Sequence, residues 1–170
     1  MIIQIVSVML RNTYTTDDLV ERIGHMRTYL SKRLFSEKDA DTSLNEVLRD
    51  TCDAHTLSCL TDWEAAFTKA NIVPLVVYET LDSIEEDMAG IPSVTLYVPI
   101  HFSPVHVERF GTWFRRNVQP NILMTMRTDA RTSGGCAFIW KGTYYDFSLR
   151  YHINAHRKDI ISMCDMYTHA

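Results

Sequence analysis

Two pairs of histidines have spacings that can place two imidazoles on one metal ion. His101 and His106 flank a Ser-Pro step, and His152 and His156 stand four residues apart, which is one helical turn. Metal-binding helices with this spacing usually add a carboxylate between the histidines or a third ligand nearby, whereas an Ile-Asn-Ala run intervenes here. The sequence therefore predicts a solvated histidine face and no metal site. A small metal-dependent hydrolase is the weakest of three interpretations.

Nucleophilic and phosphate-binding motifs are also incomplete. Ser148 lacks the flanking glycines of a nucleophile elbow, and Gly134-Gly135 is not followed by the further glycine or lysine of a nucleotide-binding loop. The cysteines have neither zinc-ribbon nor redox-dithiol spacing, and we interpret them as buried thiols; they are Cys52, Cys59, Cys136 and Cys164. We therefore expect no catalytic residue and no cofactor, so the protein is not predicted to be an enzyme.

The charge of the chain is divided between its halves. Its 170 residues carry a net charge of −4, with 46% hydrophobic and 22% charged residues, which is typical of a globular protein. No apolar run has the length of a membrane span and the N-terminal stretch lacks the features of a signal peptide, so we expect a cytoplasmic protein. Residues 1–90 hold 8 Lys and Arg against 16 Asp and Glu, whereas residues 91–170 hold 9 against 5. Two halves of opposite sign indicate two modules with different partners.

The basic half supports a second interpretation, a nucleic-acid-binding module. Its cationic residues would contact phosphates, and exposed aromatic rings would stack on bases. The candidate rings are Trp113, Tyr144, Tyr145 and Tyr151. An excess of four positive charges is modest for such a module, so this interpretation is the runner-up.

Helical spacing of apolar residues runs through the acidic half. Thr15 is a candidate N-cap, and Ser43 with Glu46 has the spacing of a capping box, whose helix we extend to about Cys52. We predict a break over 53–56, then a helix ended by Asn71 and another from Pro74 to Gly90. Residues 1–10 fit either a strand or a helix. The prediction is an all-α bundle domain over residues 1–90.

The pattern changes at Ile91-Pro92, where proline disfavours helix in the preceding residue and a period of two begins. Ser103-Pro104 then opens a helix, and Lys141-Gly142 is a two-residue hairpin turn between further strand candidates. On the first of these helices we expect three solvated arginines, Arg109, Arg115 and Arg116. In a last helix from about Ser148 we expect core contacts from Leu149, Ile153, Ile160, Ile161 and Cys164.

The predicted fold class is therefore α+β. An N-terminal helical bundle is followed over residues 91–170 by a small α+β domain of order β-α-β-β-α, with one more strand candidate returning from the Lys141-Gly142 turn.

A set of spaced residues runs through this second half, and we call it the signature set. Asp129 precedes two glycines by five and six positions, an apolar strand and a glycine turn follow, and an Asp-x-Ser-Leu-Arg run begins the last helix. Its members are Asp129, Gly134, Gly135, Gly142, Asp146, Ser148, Leu149 and Arg150.

With this set the chain resembles the C-terminal domain of the F-type ATP synthase delta subunit, the oligomycin-sensitivity-conferring protein family, from Val94 to about Ile160. The family commonly has proline, an aliphatic residue and glycine where this chain has Ala130, Ser133 and Phe147, and its turn glycine is displaced by one position. The N-terminal half matches the family's six-helix bundle only in type and approximate length.

The resemblance implies a non-catalytic stator subunit in the peripheral stalk of a proton-translocating ATP synthase, CF(1) or its bacterial counterpart. The helical domain would hold the N-terminal helix of an alpha subunit, and the C-terminal domain would grip the stalk b subunits. The protein would then lie peripherally at the cytoplasmic face of the plasma membrane, with membrane contact only through the complex. No nucleic acid is expected in that role.

Overall fold

The computed structural model describes residues 2–36, 42–86, 90–132 and 134–168. Within these ranges the chain is α+β, with eight α-helices, mostly N-terminal, and one four-stranded mixed sheet in the C-terminal half. The predicted fold class is confirmed. None of the helices in these ranges is both long enough and apolar enough to span a bilayer.

Five helices come first, and the sheet and three further helices follow. The helices are α1 (Ile2–Leu10), α2 (Thr16–Phe35), α3 (Leu44–Leu48), α4 (Ala54–Lys69) and α5 (Pro74–Glu86). The later elements are β1 (Ser93–Val98), α6 (Pro104–Asn117), β2 (Leu123–Thr128), β3 (Gly135–Trp140), β4 (Thr143–Ser148), α7 (Leu149–Ala155) and α8 (Arg157–Thr168). The predicted end of α5 near Gly90 depends on residues 87–89, which lie outside the described residues.

The chain packs as two compact units. The first comprises Met1–Pro92 with Gly111–Leu123, and the second comprises Ser93–Phe110 with Met124–Ala170. The predicted domains, 1–90 and 91–170, are contiguous, whereas the first unit also takes in the second half of α6. Arg115 and Arg116 lie in this segment and therefore belong to the first unit. The excess of positive charge is two in the second unit, compared with four in residues 91–170.

The core of the first unit settles the conformation of the N-terminal segment, which the sequence left open. Residues 2–10 are helical because Ile5 and Met9, one turn apart, both enter the core together with Leu10. The large buried side chains around them come from α2 to α5, and they are Leu19, Ile23, Met26, Tyr29, Leu48, Leu60, Trp63 and Leu81. Each helix therefore contributes an apolar stripe to one core.

Side-chain caps start the helices of the first unit where the sequence predicts them. The Thr15 hydroxyl accepts from the amide of Asp18 at 3.0 Å, and Ser43 and Glu46 form the predicted capping box. The predicted extents of the next elements are wrong. α3 ends at Leu48, and Asp53 starts α4 because its carboxylate accepts from the amide of Thr56 at 2.6 Å.

Arg115 is not solvated as predicted. Its guanidinium lies half-buried over the ring of Tyr14, 4.6 Å from the ring centroid, and donates to the carbonyl oxygens of Arg11 and Thr13. Gly111, one helical turn before Arg115, is buried against the same ring, and a Cβ there would lie 2.3 Å from it. These contacts explain why this part of α6 packs with the first unit.

The sheet of the second unit has the strand order β2-β1-β3-β4. β3 is antiparallel to both of its neighbours, with Leu96 opposite Phe138 and Phe138 opposite Tyr145. Its hairpin turn is the predicted one, since Lys141 and Gly142 both have positive φ, 49° and 77°. Three β1 side chains are fully buried, namely Val94, Leu96 and Val98.

Candidate functional site

Seven of the eight signature residues converge on one end of the β3–β4 hairpin, which we call the polar corner. Gly135 pairs with Ser148 across the hairpin, and the amide of Leu149 donates to the carbonyl of Gly134 at 2.9 Å. The corner thus joins the loop that enters β3 to the first turn of α7. Its members are Asp129, Gly134, Gly135, Asp146, Ser148, Leu149 and Arg150, whereas Gly142 lies at the opposite end of the hairpin.

The two glycines of the corner are required by backbone geometry. Gly134 has φ 122° and Gly135 has φ 76°, values that a side chain strongly disfavours. A Cβ on Gly135 would also lie 2.3 Å from the carbonyl oxygen of Phe147. Gly135 therefore combines a backbone conformation and a close approach that both require glycine.

Ser148 ends β4 and begins α7. Its hydroxyl oxygen accepts from the amide of Tyr151 at 3.2 Å, which makes Ser148 the N-cap. Its own amide donates to the carboxylate of Asp146 at 2.8 Å. Hydrogen bonds from the side chain and amide of Ser148 lower the pKa of Asp146. The pair therefore fixes where the strand stops and the helix starts.

Asp129 stabilises the loop that enters β3. Its amide donates to the carbonyl of Val98 at 2.8 Å, and its carboxylate accepts both Nε and Nη2 of Arg131. Hydrogen bonds from the side chain and amide of Arg131 lower the pKa of Asp129. Each of these hydrogen bonds in the polar corner positions a loop or caps a helix.

A polar pocket of about 330 Å³ opens beside these groups. It is lined by two carboxylates and two guanidinium groups, together with smaller and aromatic side chains. These residues are Asp129, Arg131, Thr132, Ala137, Tyr144, Asp146, Ser148 and Arg150. The two carboxylates and two guanidinium groups balance in formal charge, and the Ser148 hydroxyl serves as a helix cap.

The four histidines of the metal interpretation have local partners. His106 Nδ1 lies 2.7 Å from the Ser103 hydroxyl, and His156 Nδ1 lies 3.6 Å from a carboxylate oxygen of Asp159. The ring of His101 is 3.4 Å from the hydroxyl of Thr128, and His152 touches Tyr151. Across the described ranges no three His, Cys, Asp or Glu side chains are arranged to hold a metal ion.

The predicted core contacts of the last helix are wrong. The helix is two segments, α7 and α8, and Leu149 and Ile161 are both about half exposed. The other predicted contacts, Ile153, Ile160 and Cys164, are exposed too. Their spacing fits an amphipathic helix, but nothing in the described second unit covers that face.

The sequence analysis missed an aromatic stack on β3 and β4, in which the Phe138 ring pairs with two rings of the neighbouring strand. Its centroid lies 4.9 Å from the Tyr145 ring and 5.7 Å from the Phe147 ring, and both pairs are stacked. Tyr145 and Phe147 are 40% and 50% exposed. The two-residue spacing of Tyr145 and Phe147 is visible in the sequence. Their pairing with Phe138 follows only from the register of the hairpin, which the sequence does not reveal.

The first unit has an apolar surface of its own at the ends of α2 and α5. Phe35 and Leu75 are exposed, and the Phe35 ring meets the Tyr78 ring edge-on at 5.6 Å. Glu79, one turn beyond Leu75 on α5, is exposed as well. We call these four residues the α2–α5 patch.

Comparison of the sequence with known proteins identifies no relative of this chain. The chain matches no protein-family model, and no similar sequence was found among curated proteins.

Proposed function

We propose that the protein is a non-catalytic stator subunit of an F-type ATP synthase, linking the catalytic head to the b-subunit stalk. The observation that carries this proposal is the polar corner. Residues that resemble the delta-subunit pattern in sequence come together in space, and Gly135 and Ser148 have the structural roles that their types suggest. Such a subunit needs rigid modules that bind helices, and it needs no active site.

In this proposal the first unit binds the N-terminal helix of an alpha subunit. The unit has 16 acidic residues against 10 basic ones, so it favours a basic partner. Its α2–α5 patch combines the exposed apolar side chains Phe35 and Leu75 with the carboxylate of Glu79. An amphipathic helix with basic flanks matches this combination of apolar and acidic groups.

The direct test mixes the chain with a peptide of the alpha N-terminus from the same source and measures heat by calorimetry. The whole chain is needed because Gly111–Leu123 packs with the first unit, so residues 1–90 alone would lack the contacts of Arg115. We expect micromolar or tighter binding that weakens as salt rises. Absence of binding at millimolar peptide would contradict this part of the proposal.

A pair of matched variants locates the binding surface. Leu75→Asp removes an apolar contact from the α2–α5 patch and should lower affinity about ten-fold or more. Val20→Asp makes the same change at an exposed residue of α2 that lies 15 positions, roughly 22 Å, from Phe35 along the helix. The Val20 variant should bind like the parent, and equal losses in both variants would exclude the patch.

The second unit would bind the b subunits, and the protein would reach the cytoplasmic face of the membrane only through that complex. Its exposed α7–α8 helices and aromatic stack are apolar surfaces in a unit whose net charge is small. Such surfaces suit a lasting contact with other subunits. Co-sedimentation with a soluble b-subunit fragment from the same source tests this contact, and failure to co-sediment would contradict it.

A nucleic-acid-binding module is a second candidate because of the aromatic stack. Paired aromatic side chains on adjacent strands, such as Phe138 with Tyr145, are typical of sheets that bind single strands. The small positive excess of the second unit counts against it. A titration with single-stranded RNA should show affinity that falls steeply with salt if this candidate is right, and a weak, flat response would remove it.

A further inference from the structure

β4 lies at an edge of the sheet, because β3 is its only neighbouring strand in the described residues. Alternate residues of an antiparallel strand turn their amides and carbonyls towards the neighbour, and the residues between them turn these groups away. The amide of Leu149 bonds to the carbonyl of Gly134, which fixes this alternation. Counting back in steps of two, the residues that face β3 are Phe147, Tyr145 and Thr143. The backbone groups of Tyr144 and Asp146 therefore point outward, where no described strand lies.

This edge lacks the features that keep edge strands apart. Natural edge strands usually have a proline, a lysine or a bulge that prevents pairing with another strand. β4 has none of these, because its register with β3 is continuous and Asp146 is its only charged residue. The carboxylate of Asp146 already accepts from the amide of Ser148. Tyr144 and Tyr145 are 58% and 40% exposed, so β4 is an open template for a further strand.

The side chains of β4 divide between two unlike faces of the sheet. On one face Tyr145 stacks on Phe138. On the other face Tyr144 and Asp146 line the polar pocket, together with two guanidinium groups. A strand that pairs with β4 must therefore have apolar side chains on one face and polar or charged side chains on the other.

A second copy of β4 meets this requirement when it runs antiparallel and a two-fold axis passes through Tyr145. Tyr145 then lies opposite Tyr145 of the second copy, on the apolar face. Tyr144 lies opposite Asp146 of the second copy, and these outward residues exchange both of their backbone hydrogen bonds. The axis repeats the same pair on its other side, so every outward group of the two residues finds a partner.

The charges favour this register over its neighbours. Asp146 of one copy approaches Tyr144 of the other, and with it the guanidinium groups of Arg131 and Arg150 in the same pocket. By symmetry the attraction occurs twice. An axis through Asp146 would set two carboxylates opposite each other, which is destabilising. An axis through Tyr144 would move Asp146 to the hairpin turn of the second copy, away from the arginines.

We propose that the free chain forms a homodimer by antiparallel pairing of β4 with β4 of a second copy, centred on Tyr145. The pairing joins two four-stranded sheets into one and covers the aromatic stack of each copy. It does not rest on the proposed function, and a stalk contact through the same stack would replace it. Because a single strand edge is a small interface, the dimer dissociates on dilution.

Analytical ultracentrifugation of the full chain tests the pairing. We expect monomer at about 1 μM and dimer at about 500 μM. Hydrogen exchange at the two concentrations tests the surface, since the amides of Tyr144 and Asp146 should exchange at least about ten-fold more slowly in the dimer, where a second strand accepts from them. A chain that stays monomeric at about 500 μM, or one that forms a ladder of larger oligomers, would overturn the proposal. A dimer in which these two amides stay unprotected would overturn it too.

Two changes at one residue provide matched variants. Tyr144→Pro removes the outward amide and keeps the bonds to β3, because proline is tolerated where the amide of an edge strand faces solvent, and it should weaken dimerisation about ten-fold or more. Tyr144→Ala keeps the amide and should weaken dimerisation less than about three-fold. Tyr151→Lys, at an exposed tyrosine outside β4, is the control and should dimerise like the parent. Circular dichroism checks that the fold is kept, and the hydrogen-exchange test of the parent needs no variant. Equal dimerisation of the proline and alanine variants would overturn the assignment.

Discussion

A Cβ on Gly135 would lie 2.3 Å from the carbonyl oxygen of Phe147. The residue also has φ 76°, so two independent constraints exclude a side chain at this point. This close approach is between the start of β3 and the end of β4, where Ser148 starts α7. The polar corner therefore has no room for a side chain at this position.

Gly135→Ala should lower the free energy of unfolding by about 2 to 4 kcal/mol, because the left-handed backbone and the contact with Phe147 both oppose a methyl group. Gly142→Ala is the control, since Gly142 has φ 77° and open space around it. Its cost should be about 1 kcal/mol, from the backbone alone. Urea unfolding measures both variants, and equal costs would show that the Phe147 contact is unimportant.

Ser148→Ala should lower stability by about 1 kcal/mol, because the amide of Tyr151 loses its acceptor at the start of α7. The effect should appear in urea unfolding and in faster hydrogen exchange of the first turn of α7. Ser162→Ala, an exposed serine within α8, should stay within about 0.5 kcal/mol of the parent. A silent Ser148→Ala would mean that the cap is dispensable.

Arg115→Met should lower stability by about 2 to 3 kcal/mol, because it keeps much of the side-chain volume but leaves the carbonyls of Arg11 and Thr13 without this donor. It also loses the contact with the Tyr14 ring. Arg116→Met, at the exposed neighbouring arginine, should change stability by less than about 0.5 kcal/mol. Similar losses at 115 and 116 would contradict the packing of α6 with the first unit.

Tyr29 should remain protonated well into the alkaline range. Burial, together with its hydrogen bond to Glu64, raises the pKa of the phenol to about 12. A raised folded pKa means that the stabilisation is complete below the ordinary pKa of about 10 and is lost as pH rises towards 12. Ultraviolet titration of the parent against Tyr29→Phe should assign one late-ionising tyrosine to this position. A phenol at 29 that ionises near pH 10 would contradict the expectation.

Local chemistry made much of the fold predictable. The caps Thr15 and Ser43 and the Lys141-Gly142 turn depend on side chains within a few residues of one another, and each is found where the sequence indicates. The start of α4 was misplaced because Asp53 resembles a helix breaker in a polar run, although it acts as the cap of that helix.

Long-range packing made the rest unpredictable. An arginine near the end of α6 fits a solvated face. Only the position of Tyr14, about a hundred residues earlier, makes Arg115 a half-buried packing contact. The apolar spacing of Ile153 and Ile160 suggested one helix with a buried face, but the two residues lie in separate helices, α7 and α8. Spacing cannot distinguish a face that meets the protein's own core from one left for a partner, and in the described structure this face is exposed.

The most direct test of the stator account is purification of the complex in which the protein works. The tagged chain is isolated from membranes of its own source in mild detergent, and the co-purifying subunits are identified and quantified by mass spectrometry. The account predicts alpha and b subunits of the ATP synthase in a constant ratio to the chain. It is contradicted if the chain elutes without them while the ATP synthase of the same membranes contains a different subunit between head and stalk.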